Sequence, residues 1–357
     1  MSTTKTDAIT AATLNTDLEI SGNGTGVPNL ATGAMLNGVA FGAGATSAAG
    51  LTGFRNRIIN GDMRVSQRAA SYVAPSNSDV TLDRWSWGNS TSGVVTITQD
   101  SSDTPDDATA FALKVDTTTA LGSVAAGDLA YVFQRIEADN ISDFALGTAT
   151  AKTITVSFDV KSTKTGTFCI SLNNSAADRT YRVEYTVDVT DTWESKSVTI
   201  ALDTTGTWVT SGNGKGMTVY WTLVTGSTYQ GTNDTWEAGT VTAGTANQVN
   251  ALDNLANNFL LANVQVEIGT AKTDFEQRPL GYELALCQRY YHHTYQPGEY
   301  PGDNVGFQGT LNFTGFSSTS AASSHTFPVT MRATPTAVPY STTGTANDGT
   351  VRNTGSN

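Results

Sequence analysis

The residues of this chain that could do chemistry are few: three histidines, two cysteines and a scatter of carboxylates. His292 and His293 are adjacent, while His325 stands apart in SSHTFPV. Neighbours on a helix point about 100° apart, so the histidine pair does not read as a zinc site. Cys169 lies in the apolar run GTFCISL and Cys287 in a helical stretch. Far apart and without metal-ligand spacing, they are expected as buried free thiols. Asp83, Asp100, Glu137, Asp159 and Glu184 could supply a glycosidase pair, but no pattern sets two of them the required ~5–10 Å apart across a cleft. No HExxH, GxSxG, P-loop or GxGxxG arrangement occurs in context. The reading is of a chain that is not an enzyme and needs no cofactor.

The tryptophans carry more. Trp85 and Trp87 share one face of LDRWSWG, and Trp221 alternates with apolar residues, so these three are expected in the core. Trp193, Trp208 and Trp236, with Tyr229, lie in or beside the polar turns DTWES, GTWVTSGNGKG and STYQGTNDTWEAG. Rings placed so can stack on the apolar face of a sugar while Asn, Asp and Thr bond its hydroxyls; they can equally plug the end of a sandwich. Trp193, Trp208, Tyr229 and Trp236 are therefore the glycan-binding candidates.

The elements that must position them are mostly strands. TITVSFDVK places Ile154, Val156, Phe158 and Val160 on one face, and the same period of two recurs in RTYRVEYTVDV, SVTIAL and MTVYWTL. Half-buried antiparallel strands between Gly, Asn, Asp and Thr turns predict an all-β, two-sheet sandwich. In NNFLLANVQVEIG, Leu260, Ala262, Val264, Val266 and Ile268 are expected on one face, with Phe259 and Leu261 making the first half apolar on the other as well. A helix is expected over 279–296, opened by Pro279, with a wide apolar stripe through Leu280, Leu284, Cys287 and Tyr291. The stripe exceeds what one sandwich edge needs, which makes these four candidates for a subunit interface. The expected organisation is an extended arm over 1–50, the sandwich over 51–278, the helix, and a small C-terminal β region over 297–357 with strands in VGFQGTLNF, SSHTFPVTM and TAVPYST.

A net charge of -12 with only 15% charged residues argues against nucleic-acid binding. No apolar run reaches the ~20 residues that span a bilayer, and no secretory signal is read at the start. FRNRIINGDMRVSQR sets four arginines, Arg55, Arg57, Arg64 and Arg68, around Ile58 and Ile59 in this acidic chain. It reads as the end of the arm and the first sandwich strand, with Ile58, Ile59, Met63 and Val65 buried and the arginines facing acidic groups of this or a neighbouring subunit.

The segments NRIINGDMRVSQR, TLDRW, YVFQRIE, TVSFDVKSTKTGTFCISL, DTWESKSVTIALDTTGTW and NVQVEIGTAKTDFEQRPLGYELALCQRYY resemble the repeated signature of tail-fibre and receptor-binding proteins of tailed bacteriophages. The resemblance runs from Phe54 to Arg332, including FPVTMRATPT, and is most specific between Asn263 and Tyr291. It implies a sandwich like the carbohydrate-binding jelly rolls, assembled as a homotrimeric fibre on the virion and attaching to host glycan. NGD also resembles the start of sugar-binding jelly-roll modules, which implies that Asp62 helps hold a structural calcium. The arm, through residues 1–50, would dock on other virion proteins. It matches no tail-attachment domain, so tail, collar and head stay open. The alternatives are a head or collar decoration protein without receptor binding and a polysaccharide depolymerase.

Overall fold

The computed structural model describes residues 54–239, 241–303 and 324–340, together with short strand pieces and single positions outside these spans. The chain divides into two units, Met1–Leu51 and Thr52–Asn357. In the first, β1 (Met35–Leu36) pairs antiparallel with β2 (Val39–Ala40) on either side of Asn37-Gly38. The rest of the expected arm lies outside the described residues.

The second unit is a β-sandwich of the jelly-roll type. Its strands are β3 (Ser71–Val73), β4 (Ser86–Asn89), β5 (Val94–Asp100), β6 (Ala112–Thr119), β7 (Leu129–Glu137) and β8 (Thr153–Ser162), then β9 (Gly166–Asn174), β10 (Arg179–Val187), β11 (Glu194–Ala201), β12 (Lys215–Thr225), β13 (Thr235–Ala238) and β14 (Asn258–Ile268). One sheet runs β13-β10-β9-β12-β7-β4 and the other β11-β8-β14-β6-β5-β3. The alternation in the sequence explains the layering. Ile154, Val156, Phe158 and Val160 of β8 meet Met217, Val219, Trp221 and Leu223 of β12 in one core, closed by Trp85, Trp87 and Phe144. Trp221 stands edge-on to Trp85 at 5.4 Å and to Phe158 at 5.9 Å, which gives such ring pairs about 0.5–1.5 kcal/mol beyond simple burial. Cys169 and Cys287 are both buried and free. Among the described residues no helix is long and apolar enough to cross a membrane, which leaves β-barrels out of account.

Strand β14 departs from its expected single face. It pairs Ala262 with Asp159 but Gln265 with Ser157, so one extra residue is inserted. A one-residue insertion reverses the side-chain phase. Phe259 and Leu261 therefore point into the core before the bulge and Val264 and Val266 after it, while Leu260 and Ala262 join Ala112 and Trp193 on the outer surface of the sheet. Asn263, at the bulge, has φ 49°, a left-handed conformation that asparagine adopts more readily than most residues.

The arginine-rich opening is not a strand. Residues 54–65 run as an irregular strap across the mouth of the sandwich. Arg57 N donates to Val266 O at 2.8 Å and Val264 N to Gly61 O at 2.9 Å, so the strap follows the bulged part of β14. On the other sheet, Gln134 accepts from Ile59 N and returns its Nε2 to Ile59 O, both at 2.9 Å. Consecutive inward residues could not be satisfied by a pleated strand here, because Ile58, Ile59, Met63 and Val65 are all buried, as expected, while Asn60 and Met63 turn through positive φ. The four arginines find partners in their own chain: Arg55 with Glu267, Arg57 with Asp143, Arg64 with Asp62, and Arg68 with Asp83.

The helix, α1 (Leu280–Gln288), is shorter than the expected 279–296. It stops because the residues after it are claimed by the sandwich: Arg289 pairs with Glu137, and the rings of Tyr290 and Tyr291 lie under the guanidinium groups of Arg84 and Arg68 at 3.5 and 3.7 Å. Its apolar side covers its own chain. Cys287 is fully buried against Ile59 and Val65, with Leu284 half-buried beside it. Cys287 is thus covered by its own chain, while Tyr291 is half-buried and Leu280 is 53% exposed. Phe54 and Tyr282, 65% and 42% exposed, lie with tilted rings 5.2 Å apart near the same end.

At the C-terminal end, β15 (Thr314–Ser317) pairs with β16 (Ser320–Ala322), and Tyr340 bridges Ala346. The expected strand in SSHTFPVTM does not form: His325–Met331 makes no ladder. Most of VGFQGTLNF lies outside the described residues.

Candidate functional site

A cavity of about 440 Å³ opens on the outer surface of the β11-β8-β14 sheet, around Trp193. Small-ligand sites commonly span roughly 300–1,000 Å³. Three features of the chain build it. The first is the tryptophan, which enters β11 from the turn DTWES, packs on Ala112, Leu260 and Ala262, and donates its Nε1 to Asp103 Oδ1 at 2.9 Å. Lys161 bonds the other Asp103 oxygen at 2.8 Å, so the ring is held from behind while staying half-exposed.

The second is the bulge. The left-handed backbone at Asn263 lets its Nδ2 donate both to Asp159 Oδ2 and to Thr109 Oγ1, each at 2.8 Å. Ser157, Asp159 and Ser195 face outward on the adjoining strands and line the floor with polar atoms. The third is the loop Lys272–Phe275, which forms one wall. Arg55 fixes it by donating to Thr273 Oγ1 at 2.7 Å and Asp274 O at 2.5 Å, and Glu267 accepts from Thr273 N at 2.9 Å. The opening strap therefore shapes the cavity twice, through Gly61 on the bulge and through Arg55 on the wall.

Of the sequence candidates, only Trp193 lies in this cavity. Trp208 and Trp236 stand edge-on at 5.6 Å, Trp236 packs on Tyr181 at 5.1 Å, and both rings rest against the core, so they plug one end of the sandwich. Their indole nitrogens are occupied: Trp236 donates to Ala201 O at 2.9 Å and Trp208 to Thr205 O at 3.2 Å. Tyr229 sits in the short turn Ser227–Tyr229, beside a smaller cavity of about 310 Å³ lined by Ser227, Gln230 and Thr225. Asp62, the candidate calcium ligand, is buried, with Arg64 against its Oδ2 while its Oδ1 has no hydrogen-bond partner among the described residues. Among the described residues no three His, Cys, Asp or Glu are grouped to hold a metal ion.

Sequence reasoning missed Asn263 and the Lys272–Phe275 wall, and it named Asp159 only as one of five carboxylates that no pattern paired. The even-numbered apolar residues of NFLLANVQVEI run unbroken from Leu260 to Ile268, so the alternation gave no sign of the bulge at Asn263. Sequence reasoning also missed the aromatic group on the outer face of the opposite sheet, where Tyr131 and Tyr220 stand 4.9 Å apart beside Phe133. That face is closed over by its own chain: Phe133 and Tyr220 are buried, and Ser171 and Thr222 donate to Ala243 O of the crossing loop.

The histidines also differ from expectation. His325 comes back to stack on His292, with ring centroids 5.2 Å apart and the two Nε2 atoms at 3.1 Å. Nearby, Arg332 N donates to Arg289 O at 2.8 Å, so residues 325–332 are clasped to the end of α1. Burial pushes the His292 imidazole below its ordinary value of about 6.5, and His325 adds to this. Burial does the same to His293, aided by His292 and Arg68. A histidine depressed in the folded state takes up a proton more readily once released, so the clasp is complete above about pH 6.5 and weakens as pH falls below it. Hydrogen exchange at the Arg332 amide, corrected for its intrinsic rate, should be faster at about pH 5.5 than at pH 7.5. In His292→Phe that difference should shrink to the part that His293 carries; an unchanged difference would exclude the His292–His325 pair as its source.

No protein-family profile matches this chain, and neither does any curated protein. Among solved structures, it is similar to the enzymatically active domain of bacteriophage CBA120 tailspike protein 4, at 14% identity and a TM-score of 0.30 over 60% of this chain. The match spans 21% of that tailspike chain, about a fifth of its length. It is similar to the N-terminal cellulose-binding domain of Cellulomonas fimi β-1,4-glucanase C, at 14% identity and a TM-score of 0.29, covering 58% of this chain and 100% of that one. A family 11 carbohydrate-binding module from Clostridium thermocellum, solved with a mixed-linked tetrasaccharide, is similar at 11% identity and a TM-score of 0.29 over 57% of this chain and 98% of that one. These are distant likenesses of fold.

Proposed function

We propose that this chain is a structural, adhesive virion protein: a phage tail-fibre or receptor-binding subunit that holds host-surface glycan in the Trp193 cavity. The observation that carries the reading is the cavity itself, where one half-exposed tryptophan ring stands over carboxylate, amide and hydroxyl groups. A ring for the apolar face of a sugar and fixed acceptors for its hydroxyls are what a saccharide needs. The virion location is supported by the resemblance from Phe54 to Arg332. In this reading residues 1–50 anchor the protein to other virion components. Three copies associate through the exposed end of α1 at Leu280, next to Phe54 and Tyr282, and the weak single sites gain strength by repetition. The protein binds and does not cleave, and it works without a cofactor.

The test is a glycan array probed with the full-length protein. Trp193→Ala should lose at least about tenfold in binding, since a stacked ring contributes roughly 0.5–1.5 kcal/mol beyond the area it buries. Because this ring also covers Ala112, Leu260 and Ala262, a second variant is needed. Asn263→Gly keeps the left-handed backbone and removes the carboxamide, so it should weaken binding with little change in folding. Full binding by both variants would remove the cavity from the reading. Release of reducing ends from surface polysaccharide would make the protein a depolymerase instead, and an intact trimer that binds no glycan would favour a decoration protein.

A further inference from the structure

We infer that the Trp193 cavity prefers a sugar carrying a free amine, a hexosamine, over a neutral hexose and rejects acidic sugars. The inference rests on the reading of the cavity as a glycan site and concerns which saccharide it takes. Its lining sets the carboxylates of Asp106, Asp159, Glu194 and Asp274 against a single ammonium, Lys272. Lys272 is engaged with Ser195 Oγ at 3.0 Å. The cations nearest the rim are also engaged: Lys196 with Glu194 and Asp188, Lys161 with Asp103 and Asp191, and Arg55 with Glu267 behind the wall.

Three carboxylates remain without a cationic partner among the described residues. Asp159 gives one oxygen to Asn263, Asp106 is held by the amides of Ala108 and Thr109, and Asp274 is exposed and enters no ion pair. A uronate or sialate would bring a further negative charge against them. Sugar hydroxyls can donate to their oxygens, and an ammonium can do so with charge assistance while lying against the face of Trp193. Such a preference is electrostatic at a partly exposed site, so it shrinks with added salt.

The full chain labelled with fluorotryptophan provides the readout, since each of its six tryptophans gives its own fluorine NMR resonance. The Trp193 signal is the one lost in Trp193→Phe. The probes are the methyl β-glycosides of glucosamine, glucose and glucuronic acid, at equal and low ionic strength. The glucosaminide should move the Trp193 signal at about one third of the concentration the glucoside needs, and the glucuronide should leave it in place. Asp274→Asn should reduce the advantage of the amine. A glucoside as effective as the glucosaminide, or a glucuronide that moves Trp193 in the same range, overturns the selectivity while the glycan site stands. If none of the three moves Trp193, the glycan reading of the cavity falls and the selectivity with it.

Discussion

Gly61→Ala should lower the unfolding midpoint of this protein by about 6–10 °C, although it adds one methyl group. A Cβ on Gly61 would stand 2.2 Å from Val264 O, against backbone that has no side-chain freedom to yield. The same glycine accepts the Val264 amide, and Asn56 Nδ2 donates to Val264 O at 3.0 Å, so any shift disturbs two hydrogen bonds on the β14 bulge. Overpacking of this kind costs about 1–3 kcal/mol, and the lost backbone bond places the sum near 3 kcal/mol. Gly122, around which an added Cβ would meet nothing within 4 Å, is the control: Gly122→Ala should stay within about 0.5 kcal/mol of the parent. Thermal unfolding of the two variants side by side checks this. Equal midpoints would mean that the strap does not press on the bulge. Since Asn263 precedes Val264, Gly61→Ala should also weaken glycan binding beyond its effect on folding.

Arg278→Met should cost about 3–5 kcal/mol near neutral pH, the range for removing one partner of a buried ion pair. Arg278 donates to Ile58 O at 3.1 Å and to Asn56 O, and it pairs with Glu276 at 2.9 Å and Glu283 at 3.4 Å. It therefore joins the strap to the segment leading into α1. Glu283 is the critical partner, because it is buried and accepts the Asn60 amide. Burial raises the Glu283 carboxyl above its usual range even with Arg278 in place. Burial pushes Glu276 the same way, but Arg278 and the amides of Asn56 and Arg55 outweigh it and hold that carboxyl low. Without the guanidinium both would be pushed up. A carboxylate whose folded value is raised binds protons more tightly folded than unfolded, so it costs stability as pH rises and relieves it as pH falls. The difference between Arg278→Met and the parent should thus narrow on acidification, and Glu283→Gln in the variant background should recover part of the loss at neutral pH. Urea unfolding at two pH values measures it; a difference independent of pH would mean that the arginine acts by packing alone.

Much of the sandwich was legible because its strands set apolar residues toward the core with a period of two. TITVSFDVK, SVTIAL and MTVYWTL place their apolar residues in the core as their alternation requires. What was not legible depended on tertiary choices. The bulge in β14 reverses a strand that counts as regular by composition, and it is held by a strap more than two hundred residues earlier in the chain. The strap itself looked like a first strand because its apolar residues fit one; its side-chain bonds from Asn56 and Asn60 define another path. The helix ended early because arginines of the sandwich captured the tyrosines beyond it.

The site followed the same division. Aromatic residues beside polar turns marked four positions, and local sequence could not separate a ring that caps the core from one that faces solvent. Trp208 and Trp236 found each other and the core, while Trp193 found an outer sheet surface with small residues beneath it. The polar groups around Trp193 come from five separate stretches of chain, which no spacing rule joins.

The most direct measurement is a crystal structure of the full-length protein with an oligosaccharide released from the host envelope. The account predicts a sugar ring stacked on Trp193, with hydroxyl or amine groups bonded to Asp159 and Asn263 and the Lys272–Phe275 wall in place. A saccharide lying instead on Trp208 and Trp236 at the end of the sandwich, or on Tyr131 and Tyr220 of the opposite sheet, would contradict it.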